Sequence, residues 1–594
     1  MKLYAQYLSS LENLRKGGKT INKAYFTSFN LSPEFFETYI LPPLLEEDVP
    51  DNSFQYESLN VKLEELEKKL DIKVFHDANM MQLNEQKRTI LKFNPILMTD
   101  EHAKRKGLFH PKVIYLENET KGILFVGSGN LTLSGWGRNI EAFQIVDVER
   151  NSNLHKQIDN FFLDVALSAG LYKNEKKNYK STFLDQGCNF IYSFGHGSKS
   201  SVFLNSINAK NTSNLYVWSP YFSESKDDNI DSIIKQNFQE AQNIHIIPDL
   251  VGAEKKIRLK NKPQSEKIKF YALKDQDSEN MNHSKVWITD TKIGIGSYNF
   301  TKEALFGVNF EAALIQDVQK IDLGLEPIDF NQMNETELKS EELKTNTQFN
   351  VIFELIADYE LQSFGVKQLV GEKIASYSIV LPSGIISSNK NLENISTYDK
   401  AKIFRGLIKN KIFKIEHQKK IIYEGIIFEN STRGYREPVK VETINDLFIS
   451  FLDKKEPFSS KKLKNRNINF DENNNDSRDT HIDTSYLNYY NLFKGFENLN
   501  NKLREIKDER TLRYYCFTSG NSISSIMLII EEYKTTHHNL FTYLFINEFN
   551  NLAKEVNKII DKNDSFQMKS IQEVTNINLK LSKDDKKFLK AFYG

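Results

Sequence analysis

The stretch HPKVIYLENETKGILFVGSGNLT, from His110, returns further along the chain as HSKVWITDTKIGIGSYNFT, from His283. Two similar halves pack most naturally about an approximate two-fold axis, so residues at equivalent strand ends meet across the junction. The flanking segments repeat in the same order. In the first half Ala24 to Phe29 alternates as a strand, DIKVFHD from Asp71 and TILKFNPIL from Thr89 read as strands, and another begins near Ile140. In the second half NLYVWSPYF from Asn214, NIHIIPDL from Asn243 and KIKFYALKD from Lys267 are strands, with DDNIDSIIKQNFQEAQ as a helix between the first two.

The expected class is therefore α/β, with two pseudo-symmetric repeats at 1–168 and 190–328, each a mixed sheet flanked by helices. A polar stretch from Leu171 links them. Beyond residue 330 the periodicity changes. Short β-like runs such as ASYSIVL and KIIYEGIIF mark a β-rich or α+β module at 345–453. An Asn/Asp-rich polar linker at 454–485 follows, and NLFTYLFINEFNNLAKEVNKIID belongs to a mostly helical module at 486–594.

Each repeat carries the same polar set: His110, Lys112, Ser128, Asn130 and Glu141 in the first, His283, Lys285, Ser297, Asn299 and Glu311 in the second. A histidine and a lysine two apart on a strand point to one face. The turns GSGN and GSYN begin with glycine, which lets the following strand end approach without a Cβ in the way. His, Lys and Asn from both halves can then surround one tetrahedral anion. A lone HxK or GSxN says little; both together, repeated in order and each followed by a glutamate 11 or 12 residues after the asparagine, point to phosphodiester chemistry.

In that chemistry one imidazole attacks phosphorus and the opposite imidazolium protonates the leaving oxygen, while lysines and asparagines meet the charge on the equatorial oxygens. No metal or other cofactor is expected. Each glutamate is placed to hold the far nitrogen of an imidazole, and whether it serves its own copy or the other is open in the sequence. Ser128 and Ser297 are secondary candidates for phosphate contacts.

The two HxK and GSxN segments resemble the histidine-lysine motifs of the phospholipase D superfamily, over roughly residues 1–325. The resemblance implies that His110 is the nucleophile and His283 the general acid. That superfamily places an aspartate five residues after each motif lysine; Asp290 matches and Glu117 departs. GSGNLTLSGWG is similar to the tyrosyl-DNA phosphodiesterase branch, and GSYNFT to compact bacterial nucleases.

Lysine plus arginine equals aspartate plus glutamate at 79 each, so a general polycationic mode of nucleic-acid binding is not indicated. A local basic run, KKIRLKNKPQSEKIKF, makes Lys255, Lys256, Arg258 and Lys260 candidates for one wall of a DNA groove, with Tyr298, and less strongly Trp136 and Trp218, as candidates to stack bases. Two cysteines cannot build a disulfide framework, and no run reaches the roughly 20 apolar residues of a membrane span. The expectation is a cytoplasmic, metal-independent DNA endonuclease of bacterial genome defence or restriction, without stable membrane association. Protein partners are expected through the region after residue 330; the oligomeric state is open. The alternatives are a phospholipid hydrolase, a DNA-end repair phosphodiesterase and an inactive nucleic-acid-binding scaffold.

Overall fold

A computed structural model of the chain describes residues 2–430 and 485–587 with interruptions, the longer ones being 51–58, 82–88, 99–106, 172–186, 194–200, 334–348 and 388–402. The expected polar linker, except its last residue, lies outside the described residues.

In the first repeat β1 (Ile21–Ser28), β2 (Asp71–Asp77), β3 (Phe93–Ile96), β4 (Val113–Asn118), β5 (Lys121–Gly127) and β6 (Phe143–Glu149) form a sheet in the order β3-β2-β1-β4-β5-β6. The first three run parallel and the remaining pairs antiparallel, which makes the sheet mixed. Helix α1 (Lys2–Arg15) packs on β1, β4 and β5, and α2 (Asn153–Ser168) is fixed at its start by Ser152, whose hydroxyl accepts from His155 N at 3.1 Å. With both faces covered, β4 is buried at every position. That is why VIYLEN reads as a continuous run rather than an alternating one.

The second repeat contains β7 (Cys188–Tyr192), β8 (Asn214–Ser219), β9 (Asn243–Pro248), a hairpin of β10 (Leu250–Val251) and β11 (Lys256–Ile257), and then β12 (Ile268–Leu273), β13 (Val286–Ile288), β14 (Lys292–Gly296), β15 (Ala312–Asp317) and β16 (Leu325–Ile328). Its sheet order is β16-β12-β9-β8-β13-β14-β15-β7. Without the two edge strands this is the order of the first sheet, with the same parallel and antiparallel neighbours. Helix α3 (Ile230–Asn237) opens with reciprocal capping by Asn229 and Ser232. It stops five residues short of the expected Gln242, because Phe238 leaves the helical conformation and turns into the core.

The repeats share one core. Phe161, Phe162 and Val165 of α2 pack with Phe75, Tyr115 and Leu124 of the first sheet, with Phe190 and Leu314 of the second, and with Phe310 just before β15. Each such buried side chain contributes roughly 1.5–3 kcal/mol, so neither half keeps its full core without the other.

In the same compact unit follow two small sheets. One pairs β17 (Ile352–Asp358) with β18 (Ser363–Val370) and β23 (Phe428–Asn430); the other joins β19 (Ser378–Leu381), β20 (Gly384–Ser387), β21 (Ile412–His417) and β22 (Lys420–Ile426). They are fastened to the first repeat through polar anchors: Phe349 N donates to Asn79 Oδ1 at 2.7 Å, and the buried Lys411 donates to Thr89 O at 2.5 Å while pairing with Glu429.

A second compact unit holds helices α4 (Ser485–Arg504), α5 (Ile523–Thr536) and α6 (Leu540–Asp561). Phe545, Phe549, Leu552, Val556 and Ile560 recur at helical spacing along α6 and bury a stripe against Leu492, Phe496, Ile526 and Ile530. Among the described residues no helix is long and apolar enough to cross a membrane.

Candidate active site

Lys112 and Lys285 immediately precede β4 and β13, so both HxK segments lead into the central antiparallel strand of their sheet. What joins the halves is a pair of backbone bridges. His110 N donates to Phe310 O and Phe310 N to Leu108 O, both at 2.9 Å. Equivalently, Ile140 N donates to Met281 O at 2.9 Å and His283 N to Ile140 O at 3.0 Å. Each bridge holds the residue just before a glutamate against the histidine segment of the other repeat.

The side chains follow. His110 Nδ1 lies 2.8 Å from Glu311 Oε2, and His283 Nδ1 lies 2.9 Å from Glu141 Oε1. The histidine–glutamate pairing therefore crosses between repeats in both directions. Each glutamate is held from behind. Ser128 Oγ donates to Glu141 Oε2 at 2.5 Å and Asn139 to Oε1 at 3.3 Å; Ser297 Oγ donates to Glu311, and Asn309 to its Oε1 at 3.2 Å. The two serine hydroxyls also accept from Ala142 N and Ala312 N at 3.0 Å. Ser128 and Ser297, expected as phosphate contacts, are instead fully buried props for the glutamates.

Lys112 Nζ and Lys285 Nζ each donate to the carbonyl of their own histidine at 2.7 Å, which fixes both ammonium groups beside the imidazoles. Lys285 Nζ also lies 3.0 Å from His283 Nε2. Asn130 and Asn299 are half-buried in the turns after β5 and β14. Those turns need glycine. A Cβ at Gly127 would stand 2.4 Å from Ala142 O, and one at Gly296 only 2.1 Å from Ala312 O, where no side chain fits.

Two further pairs escape a reading of the sequence by motif alone. Asp77 Oδ2 accepts from Phe109 N at 2.9 Å and Asp249 Oδ1 from Asn282 N at 2.8 Å, so a buried carboxylate fixes the residue before each histidine. Ser28 Oγ accepts from Leu131 N and Ser219 Oγ from Phe300 N, both at 2.9 Å, locking each asparagine turn to the end of β1 or β8. The signal was present: DIKVFHD and NIHIIPD both end in aspartate, and KAYFTS and NLYVWS both end in serine.

Burial dominates the electrostatics. His110 is pushed well below the usual imidazole range by burial and then by the Lys112 and Lys285 ammonium groups. His283 is lowered by burial and Lys285, against the opposing pull of Glu141. Burial works to raise Glu141, but its contacts with His283 outweigh it and hold the carboxyl below its ordinary value. Glu311 has no such surplus: burial raises it to about 8 in spite of Lys112. Lys112 falls well below its ordinary value through burial and the nearby Lys285, and Lys285 falls to about 8 through burial. Burial, and the mutual proximity of Lys112 and Lys285, thus disfavour the charged forms at this centre. Among the described residues no cluster of three or more His, Cys, Asp or Glu is arranged to hold a metal.

Residues 204–326 match the family model described as cardiolipin synthase, PLD-like domain. The fold is phospholipase D-like. Among solved structures, the chain is similar to a mutant of the yeast tyrosyl-DNA phosphodiesterase (12% identity, 53% of this chain and 93% of that one, TM-score 0.35). It is also similar to phosphatidylserine synthase of Haemophilus influenzae (12% identity, 55% and 85%, TM-score 0.35) and polyphosphate kinase of Porphyromonas gingivalis (11% identity, 53% and 46%, TM-score 0.32). No curated protein matches the chain significantly.

In this phospholipase D-like chain the acidic residues five positions after each lysine stand at the far ends of the strands. Asp290 accepts from Ser213 N at 2.5 Å and from Asn214 N at 3.2 Å, tying the turn after β13 to the start of β8. Glu117 is buried beside Tyr115 OH at 2.5 Å and His155 Nε2 at 2.8 Å. Both are braces, which explains how glutamate substitutes for aspartate without touching the site.

Of the residues expected at a nucleic-acid wall, the aromatic ones are buried. Tyr298 is buried and stacked on Phe203 with ring centroids 4.2 Å apart, because its position in the turn points into the core of the second repeat. Trp136 and Trp218 are buried too. Arg258 pairs with the buried Asp249 at 3.0 Å, and Lys256 lies 3.3 Å from Glu254. Lys255 is exposed in the β10–β11 turn and Lys260 is half-buried after it. Arg258 and Lys256 are thus engaged with acidic side chains. The rings that do flank the histidines are Phe29, 5.0 Å from His110, and Tyr221, 6.4 Å from His283.

Proposed function

We propose that the chain is a phosphodiesterase that cleaves nucleic acid, with DNA the substrate and a phosphohistidine intermediate on His110. The observation that carries the reading is the reciprocal pairing of His110 with Glu311 and His283 with Glu141, which aims both Nε2 atoms away from the glutamates. With the proton of His110 on Nδ1, toward Glu311, its Nε2 lone pair attacks phosphorus in line. The P–O bond to the leaving group breaks and the leaving oxygen takes a proton from His283. Then His283 removes a proton from water, the water oxygen attacks phosphorus, and the P–N bond breaks to restore His110.

Lys112, Lys285, Asn130 and Asn299 supply the donors for the non-bridging oxygens, so the reaction needs no metal. Substrate also prepares the acid. Lys285 Nζ lies against His283 Nε2; a phosphate oxygen that draws this ammonium away frees Nε2 to carry a proton, and its negative charge offsets the repulsion that lowers the imidazole. A role as an endonuclease in bacterial genome defence fits a site contained in a single chain.

A phospholipid is the second reading, favoured by the match of the second repeat to a model described for cardiolipin synthase. A panel of single- and double-stranded DNA, RNA and phospholipid vesicles, incubated with a chelator, separates the two. The nucleic-acid reading expects DNA cleavage that persists in chelator and vanishes in His110→Ala; turnover of phospholipid alone contradicts it.

A further inference from the structure

We propose that Tyr221 is the platform on which the nucleobase of the leaving-group side stacks, so that the site takes a strand whose bases are unpaired at the scissile bond. The inference rests on the nucleic-acid reading above. It begins from an asymmetry that the duplication does not demand. Leu31 bridges Leu131 as Phe222 bridges Phe300, which aligns Phe29 with Pro220 and Asn30 with Tyr221. On the first side the aromatic ring belongs to Phe29, which is half-buried, packs 5.0 Å from His110 and lies 5.4 Å from Lys112 Nζ. There the ring is spent on holding the imidazole and the ammonium group.

On the second side the ring stands one position later and remains 44% exposed, edge-on to His283 at 77°. Its backbone is not loose. Ser219 Oγ donates to Tyr221 O at 2.7 Å while accepting from Phe300 N at 2.9 Å, and the next residue, Phe222, is bridged to Phe300. A rigid, exposed aromatic ring beside a phosphate pocket costs little ordering entropy when a flat partner arrives, and every base offers such a face.

In-line displacement places the leaving group on the side of the proton donor, here His283. A nucleotide sets its base one sugar ring away from its phosphate, and the Tyr221 ring lies 6.4 Å from the His283 imidazole. A lipid's acyl chains begin only beyond the glycerol. A base inside a duplex is already stacked and paired, and must leave the helix to lie on this ring.

The test uses the full chain and oligonucleotides with one cleavable phosphodiester among methylphosphonate linkages, carrying a base or a tetrahydrofuran abasic unit on either side. Tyr221→Phe keeps kcat/KM within about twofold, because the stacking face is retained. Tyr221→Ala loses about tenfold on the single strand, mainly in KM, and the wild-type chain loses a similar factor when the leaving-side base is removed. On that abasic strand Tyr221→Ala and the wild type are equal, and the wild type prefers single strand over duplex. Equal losses on base-bearing and abasic strands, or a preference for duplex, overturn the proposal while leaving the nucleic-acid reading intact. Absence of His110-dependent cleavage of any nucleic acid, with turnover of phospholipid vesicles, overturns both.

Discussion

At the scale of single residues, the two imidazoles to which the proposed mechanism gives different roles also have different surroundings. Glu141 keeps its negative charge against His283, whereas Glu311 is raised to about 8 and shares one proton with a strongly depressed His110. Glu141→Gln removes a charge while keeping the shape, and Glu311→Gln replaces the carboxyl facing His110 by an amide of the same shape; each lowers kcat on the order of 10²-fold with little change in KM. Steady-state kinetics on a single substrate checks this. Lys285 is useful only as an ammonium group, so activity falls as pH rises through about 8, where it loses its proton. In Lys285→Arg the side chain stays charged, and the alkaline limb of the kcat/KM profile moves upward. An unmoved limb assigns it to another group.

At the scale of elements, the decisive features are strand ends. The HxK and GSxN segments were legible as repeated sequence, and the glycines at their turns were legible as steric necessities. Gly127→Ala and Gly296→Ala drive a Cβ into the carbonyls of Ala142 and Ala312, and each lowers stability by about 1–3 kcal/mol, read as a lower midpoint in urea unfolding. An unshifted midpoint means that β6 or β15 yields instead. Tyr298 was misread because a residue in a turn looks exposed in sequence, while the turn after β14 folds it back onto Phe203. In the run from Lys255 the fold brings Arg258 to Asp249 across the β10–β11 hairpin, a partnership that residue type alone does not show. Asp77 and Asp249 hold the backbone amides of Phe109 and Asn282, contacts that leave no mark on the residue type of the partner.

At the scale of the whole molecule, the proposed active centre lies where the halves meet. No spacing within either copy says that Glu141 serves His283 and Glu311 serves His110, since that pairing is made by bridges between segments about 140 to 200 residues apart. Phe310 supports the His110–Glu311 pairing: it is fully buried in the shared core, and its backbone bridges to Leu108 and His110. Phe310→Ala costs about 3–5 kcal/mol and removes activity along with stability, as calorimetry and turnover on the same sample show. The central claim is that phosphorus is transferred to His110 while His283 manages the proton. In His283→Ala, a thymidine p-nitrophenyl phosphodiester supplies a leaving group that needs no acid, while the base that resolves the intermediate is absent. Rapid quenching and mass spectrometry of this variant should find one equivalent of nitrophenolate released and one nucleotide attached to His110, and no adduct when His110→Ala is added. A full turnover with no adduct, or an adduct on any other residue, contradicts the account.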